Sequence, residues 1–354
     1  SPFYQMICDR NSLVLDSTCV DGITPNIAIH NDNIAVIWCA DYIMDRHPQT
    51  VYQTYSTNGG KTFGAASTHP QYATSYWHTN VQPNLIYDMT GGLHFIWSVV
   101  NDVNGPYYSF SANDGSTWST KKDTDVIGDG KYPREYGIGV AISNNGNTIR
   151  DIWYSLAGES TKRIFSSVST NGGSTWTTEN LYNYVGNASD SISYMSSAVF
   201  DSNDNFYAIS KKQNKLNLTK RVSSTWSDVD ITSSDSSISL ANEHAIAVSE
   251  DDVLYITWSQ GGNIYFSKST NNGSNWANPI QVDDAASGTQ DKPVIAIGAE
   301  GKIYVAWQDG RGAYQQIRWA SSTDEGSNWS QSKAVSFANV DQSQPDMVCD
   351  GRNL

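Results

Sequence analysis

The sequence predicts an all-β chain, a β-propeller of four-stranded blades, and three observations carry that expectation. An eight-residue stretch, STNGGSTW from Ser169 to Trp176, recurs as STNGGKTF (Ser56 to Phe63), SANDGSTW (Ser111 to Trp118), STNNGSNW (Ser269 to Trp276) and STDEGSNW (Ser322 to Trp329). With a degenerate copy, SSTW (Ser223 to Trp226), the closing aromatics stand at 63, 118, 176, 226, 276 and 329, at intervals of 55, 58, 50, 50 and 53 residues. A period of about 50 residues is the size of one four-stranded blade. Between these loops lie short β-rich runs bounded by turn residues, with no sustained helical period.

Each part of the recurring stretch has a physical task. The Ser hydroxyl and the Asn or Asp side chain at the third place can bond the loop's own backbone, the glycine supplies a positive φ, and the aromatic folds back under the turn. The third place holds Asn58, Asn113, Asn171 and Asn271 in four copies and Asp324 in the last, and Asn can cap the same loop as a neutral acceptor.

The strands follow in order. First and second strands are NIAIH (from Asn26) and IAVIW (to Trp38), NLIYD (from Asn84) and LHFIW (to Trp97), and GIGVAI (from Gly137) and TIRDIW (to Trp153). They continue as SSAVFD (from Ser196) and NFYAIS (to Ser210), AIAVS (from Ala245) and VLYITW (to Trp258), and VIAIG (from Val294) and IYVAW (to Trp307). A third strand runs into each serine-first loop and a fourth leaves it. Trp38, Trp97, Trp153, Trp258 and Trp307 are expected to pack between blades. Two fragments remain, QPDMVCDGRNL from Gln344 and FYQMICDRNSLVLDS from Phe3. Joined, they would make a seventh blade shared by the two ends, which closes a ring without exposed edges. Seven blades is the favoured count and six the alternative, in a single domain spanning 1–354.

Bulk properties narrow the partners. The formal charge is −14 with 22 Lys and Arg, and Lys121-Lys122 and Lys211-Lys212 are isolated pairs, so a nucleic-acid backbone would be repelled. No apolar run is long enough to span a bilayer, and SPFYQMICDR is not a signal peptide, so a mature or trimmed chain without membrane insertion is expected. Only 16% of residues are charged while Ser, Thr, Asn, Trp and Tyr abound, a composition that fits an extracellular or cell-surface protein. Asn187, Asn217, Asn272 and Asn328 open glycan-acceptor triplets, although at Asn272 the turn chemistry accounts for the triplet. No motif calls for a cofactor or a metal. Cys8, Cys19, Cys39 and Cys349 lack zinc spacing and allow three pairings. In a secreted chain Cys19–Cys39 and Cys8–Cys349 is the expected set.

The recurring loops resemble the Asp-box, or BNR, repeat of sialidase-like propellers, over nearly the whole chain. In that family an Arg-Ile-Pro signature opens the first blade and its arginine grips the sialate carboxylate. Here the stretch is Ile23-Thr24-Pro25, with Ile23 at the arginine's place. The following IAVIWCADYIMDRH is similar to the family's second strand and its aspartate-bearing loop, so the resemblance gives Asp41 or Asp45 the acid/base role. The stretch from Trp307 to Trp329 resembles a common BNR unit, which makes Asp309 and Arg311 a structural loop pair as readily as a binding pair.

Propeller geometry sorts residues by face. The serine-first loops mark one end of each blade, and first-strand starts and second-strand ends mark the other, where a ligand is expected. That end collects Asp41, Glu135, Glu243 and Tyr194 as candidate catalytic residues. Arg134, Arg46, Arg311, His244, Asp309 and Tyr42 are the candidate substrate-binding residues there. Arginines suit an acidic sugar bound bidentately, with Arg134 the main carboxylate ligand. Three functions stay open: a glycoside hydrolase of acidic sugars, a non-catalytic carbohydrate- or protein-binding propeller of a larger surface or viral protein, and a lyase on uronic-acid polymers.

Overall fold

The computed structural model describes residues 22–40, 50–71, 79–100, 106–126, 135–144, 146–156, 161–185, 192–212, 215–232, 240–335 and 341–349. Among these no α-helix occurs, and the strands form six four-stranded sheets, each an antiparallel meander in sequence order. Sheet 1 is β1 (Gly22–His30), β2 (Asn33–Ala40), β3 (Thr50–Ser56) and β4 (Ser67–Thr68). Sheet 2 is β5 (Thr79–Tyr87), β6 (Leu93–Val100), β7 (Tyr107–Ser111) and β8 (Lys122–Asp123). Sheet 3 is β9 (Glu135–Ile142), β10 (Ile149–Leu156), β11 (Thr161–Ser169) and β12 (Thr177–Val185). Sheet 4 is β13 (Ile192–Phe200), β14 (Phe206–Lys212), β15 (Lys215–Val222) and β16 (Thr225–Asp230). Sheet 5 is β17 (Leu240–Val248), β18 (Leu254–Gln260), β19 (Asn263–Ser269) and β20 (Ile280–Gln281). Sheet 6 is β21 (Gln290–Ile297), β22 (Ile303–Asp309), β23 (Gln316–Ser322) and β24 (Lys333–Ala334).

The chain divides into two compact units, one within Val14–Ser191 holding sheets 1 to 3, the other built mainly of Ile192–Leu354 and holding sheets 4 to 6. Inside each unit first strands lie beside first strands: β1 by β5 and β5 by β9 in one, β13 by β17 and β17 by β21 in the other. The cores lie in the seams between neighbouring sheets. Leu85, Leu93, Phe95 and Trp97 of sheet 2 join Ile37 and Val51 of sheet 1, and Ile303, Val305 and Trp307 of sheet 6 join Ile264 and Phe266 of sheet 5. The second-strand tryptophans Trp38, Trp97, Trp153, Trp258 and Trp307 are all buried.

One position recurs in every described seam. The residue just after a fourth strand meets the residue two places before the next sheet's tryptophan. His69 packs against Phe95 with ring centroids 4.3 Å apart and planes tilted by 44°, and the Thr124 hydroxyl lies 2.8 Å from Asp151 Oδ2. Val282 and Val305 share one core. Ile231 packs against the core that contains Ile256. Asp151 is thus a carboxyl at a place where other sheets bury a hydrocarbon. Its Oδ1 accepts the Ser167 N–H at 2.9 Å, and burial pushes its pKa up to about 7 despite the Thr124 and Ser167 hydrogen bonds.

The five serine-first loops share one hydrogen-bond set. The Ser hydroxyl donates to the third-place side chain and accepts the N–H of the glycine, at 2.9 and 2.9 Å for Ser56, Asn58 and Gly60 and at 2.7 and 2.9 Å for Ser322, Asp324 and Gly326. The third-place oxygen then accepts the N–H four residues on, at 2.9 Å from both Thr175 and Asn328. Asn and Asp cap the loop alike. The degenerate copy is instead a two-residue turn, with Ser223 and Ser224 both at positive φ (48° and 67°), as a tight hairpin between twisted strands requires.

The glycine has a second task that concerns the neighbouring sheet. A Cβ on Gly115 would lie 2.0 Å from the Tyr55 ring, on Gly173 2.1 Å from Tyr108, on Gly273 2.2 Å from Leu218, and on Gly326 2.0 Å from Phe266. Each of these four loops is therefore seated on a third-strand side chain of the sheet before it. Lysines add to the seat, Lys122 Nζ donating to the Gly173 and Ser174 carbonyls at 2.9 and 3.0 Å and Lys220 Nζ to the Asn272 carbonyl at 2.6 Å. Lys122, from one of the isolated lysine pairs, is thus engaged.

The favoured count of seven blades is corrected to six. Residues 344–349, the described part of the stretch expected to open a further blade, form no strand, and the two residues Asp341 and Gln342 shortly before them bond to sheet 6. Gln342 N–H donates to the Gln315 carbonyl at 2.9 Å, and Asp341 Oδ1 accepts the Gln315 N–H at 2.8 Å. Among the described residues no disulfide is found; Cys8, Cys19 and the side chain of Cys39 lie outside them. No described helix is long and apolar enough to cross a membrane. Asn217 is buried and donates to Asp230 Oδ1 at 3.2 Å, so its triplet is closed to glycan transfer in the folded state.

Candidate functional site

At the end opposite the serine-first loops, all six first strands carry extra residues relative to their second strands. The pairing jumps from Ile23↔Cys39 to Asn26↔Ile37, from Thr79↔Val100 to Gln82↔Ser98, from Tyr136↔Tyr154 to Gly139↔Ile152, and from Asp291↔Gln308 to Val294↔Ala306, one extra residue each. In sheets 4 and 5 the bulge is larger. Ser193↔Lys211 passes through Met195↔Ser210 to Ser197↔Ile209, and Leu240↔Gln260 jumps to His244↔Trp258. A bulge breaks the strict alternation of a strand and re-aims side chains, which is why bulges gather beside binding sites.

Of the sequence-predicted residues, Tyr194 falls within the bulged segment of β13 and Glu243 within that of β17, the adjacent first strand of the same unit. Glu135 opens β9, next to its bulge, and pairs with Ser155. The backbone places these three, and their side chains lie outside the described residues. Asp41, Tyr42, Arg46, Asp45 and Arg134 lie wholly outside them. His244 is buried at 4% exposure, with Nε2 3.1 Å from the Ile209 carbonyl of β14, so it ties sheet 5 to sheet 4.

Asp309 and Arg311 form an ion pair. Arg311 Nε donates to Asp309 Oδ1 at 2.8 Å and Nη2 to Oδ2 at 2.9 Å, while Trp307 Nε1–H donates to the same Oδ2 at 2.9 Å. Arg311 Nη2 also reaches Asp284 Oδ1 at 2.8 Å. Asp284 lies on the crossing from β20 to β21 and takes the Ser332 hydroxyl and N–H at 2.6 and 2.9 Å. Burial would raise the Asp284 pKa, but the Ser332 bonds and Arg311 outweigh it and hold the carboxyl at about 2. Burial likewise works against the Arg311 charge, and the two carboxylates overcome it and raise its pKa. Next to it, burial raises the pKa of Asp283.

These loops are stacked by glycine. Gly310 N–H donates to the Thr289 carbonyl at 2.9 Å and Gln290 N–H to the Gly262 carbonyl at 2.9 Å. A Cβ on Gly288, whose φ is +84°, would lie 2.5 Å from the Gly310 carbonyl oxygen. Sequence reasoning passed over Asp284 and Tyr314. The signal for Tyr314 was an aromatic in a Gly-rich loop, and it stands 45% exposed. Among the described residues no group of three His, Cys, Asp or Glu could hold a metal ion.

No family profile and no curated protein matches the chain. Solved structures do. A Hadza microbial sialidase aligns with TM-score 0.56 at 12% identity over 82% of this chain, which spans 64% of that one, less than two thirds of its length. A six-bladed β-propeller fucose lectin from Aleuria aurantia aligns with TM-score 0.54 at 13% identity over 91% of this chain and 96% of the lectin. The α-L-arabinofuranosidase of Fusarium graminearum aligns with TM-score 0.56 at 10% identity over 85% and 92%. At these identities the likeness shows the fold, and the fold is a β-propeller.

Proposed function

We propose that this chain is an extracellular glycan-handling β-propeller, one domain over 1–354, that takes its sugar at the strand ends opposite the serine-first loops. The observation that carries the proposal is the bulge in every first strand at that end, three in each unit, which re-aims the strand starts. The similar structures support it, since their names are those of a sialidase, a fucose lectin and an arabinofuranosidase. The loops are proposed to be Asp-box loops on the strength of their shared hydrogen-bond set.

Catalysis is the second reading, favoured by Tyr194 and Glu243 standing in the bulges of adjacent strands. There a phenol beside a carboxylate would supply the nucleophile and its helper, with Asp41 as acid/base and Glu135 as a further carboxyl. Arg134, Arg46 and Tyr42 are proposed substrate contacts.

A glycan array combined with chromogenic glycosides and uronate polymers tests both readings. Binding without turnover supports a binding module and turnover supports the enzyme. In the enzyme Arg134→Ala raises KM for an acidic substrate and Asp41→Asn lowers kcat. Silence against every glycan by a folded protein overturns the proposal.

A further inference from the structure

We infer that the loop platform of sheets 5 and 6 is a subsite for a neutral sugar residue, held by Arg311, Asp284 and the Tyr314 ring. The inference rests on the glycan reading above and names the sugar class for this part of the site.

A carboxylate sugar is gripped best by the paired N–H edge of a free guanidinium. Here that edge is taken, because Arg311 Nε and Nη2 both donate to Asp309, whose side chain is fully buried, and Nη2 donates again to Asp284. One positive charge therefore stands between two negative ones. An incoming carboxylate would meet a net negative site and would have to displace a buried partner, which is unfavourable on both counts.

What remains open to solvent is of another kind. Arg311 is 27% and Asp284 33% exposed. Nη1 makes no hydrogen bond among the described residues and keeps two N–H donors, while Asp284, whose Oδ1 takes Nη2 and the Ser332 hydroxyl, keeps acceptor capacity on Oδ2, which takes only the Ser332 N–H. A fixed donor next to a fixed acceptor matches two neighbouring hydroxyls, each of which gives one hydrogen bond and receives one. Three residues on, in the same loop, Tyr314 offers an aromatic face to the C–H side of a sugar ring at 45% exposure.

The platform is also set in advance. Gly288 against Gly310, and Asp341 and Gln342 against Gln315, hold the loop from both sides, so little order is lost on binding.

The test is calorimetric titration of the full chain with arabinotriose, galactobiose and a fucosylated trisaccharide, against sialyllactose and a tetrameric uronate. Tyr314→Ala, Tyr314→Phe, Asp284→Asn and Arg134→Ala accompany the parent protein. A neutral probe should bind the parent. Tyr314→Ala should weaken it tenfold or more at unchanged melting temperature, Tyr314→Phe should restore it, and Asp284→Asn should weaken it several-fold. Neutral binding untouched by the Tyr314 and Asp284 changes overturns the subsite. Binding of acidic probes alone, lost in Arg134→Ala, also overturns it while leaving the glycan reading intact. If no probe of either class binds, the subsite is refuted for these sugars, and a blank on the wider array refutes the glycan reading as well.

Discussion

Gly173 rests on the ring of Tyr108, so closely that a Cβ there would lie 2.1 Å from Cε1, while Gly172 beside it would meet nothing within 4 Å. Both have positive φ, 79° and 63°. The pair separates the backbone demand for glycine from the packing demand. Gly172→Ala should cost about 1 kcal/mol, the left-handed penalty alone. Gly173→Ala should cost that and an overpacking term, roughly 2–4 kcal/mol together. Denaturant unfolding of the two variants checks it, and equal losses would mean that the tyrosine moves aside freely.

The Asp151 carboxyl gives the protein a dependence on pH. Its folded pKa, about 7, stands above the ordinary aspartate value of 3.8, so the folded state holds a proton that the unfolded state releases. Stability should therefore fall as pH rises through that window and level off above it, by an amount on the order of 2–4 kcal/mol. Thr124 Oγ1 lies 3.0 Å from the Pro106 carbonyl as well as 2.8 Å from Asp151 Oδ2, and its single proton can serve only one of them. Protonated Asp151 resolves this by donating to Thr124. Asp151→Asn keeps that donor, so it should match the parent near pH 5 and exceed it at pH 8 in chemical denaturation.

Asn171 holds its loop through a carbonyl oxygen that accepts from Ser169 and Thr175, at 2.9 Å each. Asn171→Asp preserves both bonds and should change stability by less than about 0.5 kcal/mol. Asn171→Ala should cost about 1–2 kcal/mol. Thermal unfolding of the two variants at one pH is sufficient, and an Asp variant as weak as the Ala variant would show that the Nδ2 bond to Thr175 Oγ1, at 2.8 Å, matters more than the carbonyl.

Removing Arg311 strands the buried Asp309 carboxylate with only the Trp307 N–H and its own loop to hold it. Arg311→Ala should destabilise by about 3–5 kcal/mol, and Arg311→Ala with Asp309→Asn should recover much of the loss. A double-mutant cycle read by Trp fluorescence measures the coupling. Additive losses would show that the pair contributes little as a pair.

What could be read in the sequence was what repeats locally. The serine-first loops, their Asn and Asp caps and the paired first and second strands are written within a few residues of one another, and they stand where expected. The seventh blade was inferred from a leftover, and the described part of that leftover, residues 344–349, forms no strand. The seat of Gly173 on Tyr108 joins residues far apart in the chain, and no single repeat displays it. Bulges are invisible until the pairing register is known, because an extra residue such as Tyr194 changes no local pattern. Arg311 was legible as an arginine at the right end of a blade, but its loss of a free edge depends on Asp284, which arrives from another strand crossing.

The four seam pairs differ in kind: His69 with Phe95 is aromatic, Thr124 with Asp151 polar, Ile231 with Ile256 and Val282 with Val305 aliphatic. The polar joint stands apart from the other three. A blade seated against the wrong neighbour, or against the same blade of a second molecule out of turn, would bring Val282 or Ile231 onto the Asp151 carboxyl and leave its Oδ2 without the Thr124 hydroxyl, at a cost of about 1–3 kcal/mol. Near-identical loops invite the repeats to seat in exchanged places, and this mismatch disfavours a wrong neighbour for the Asp151 blade and discourages strand swapping between molecules there.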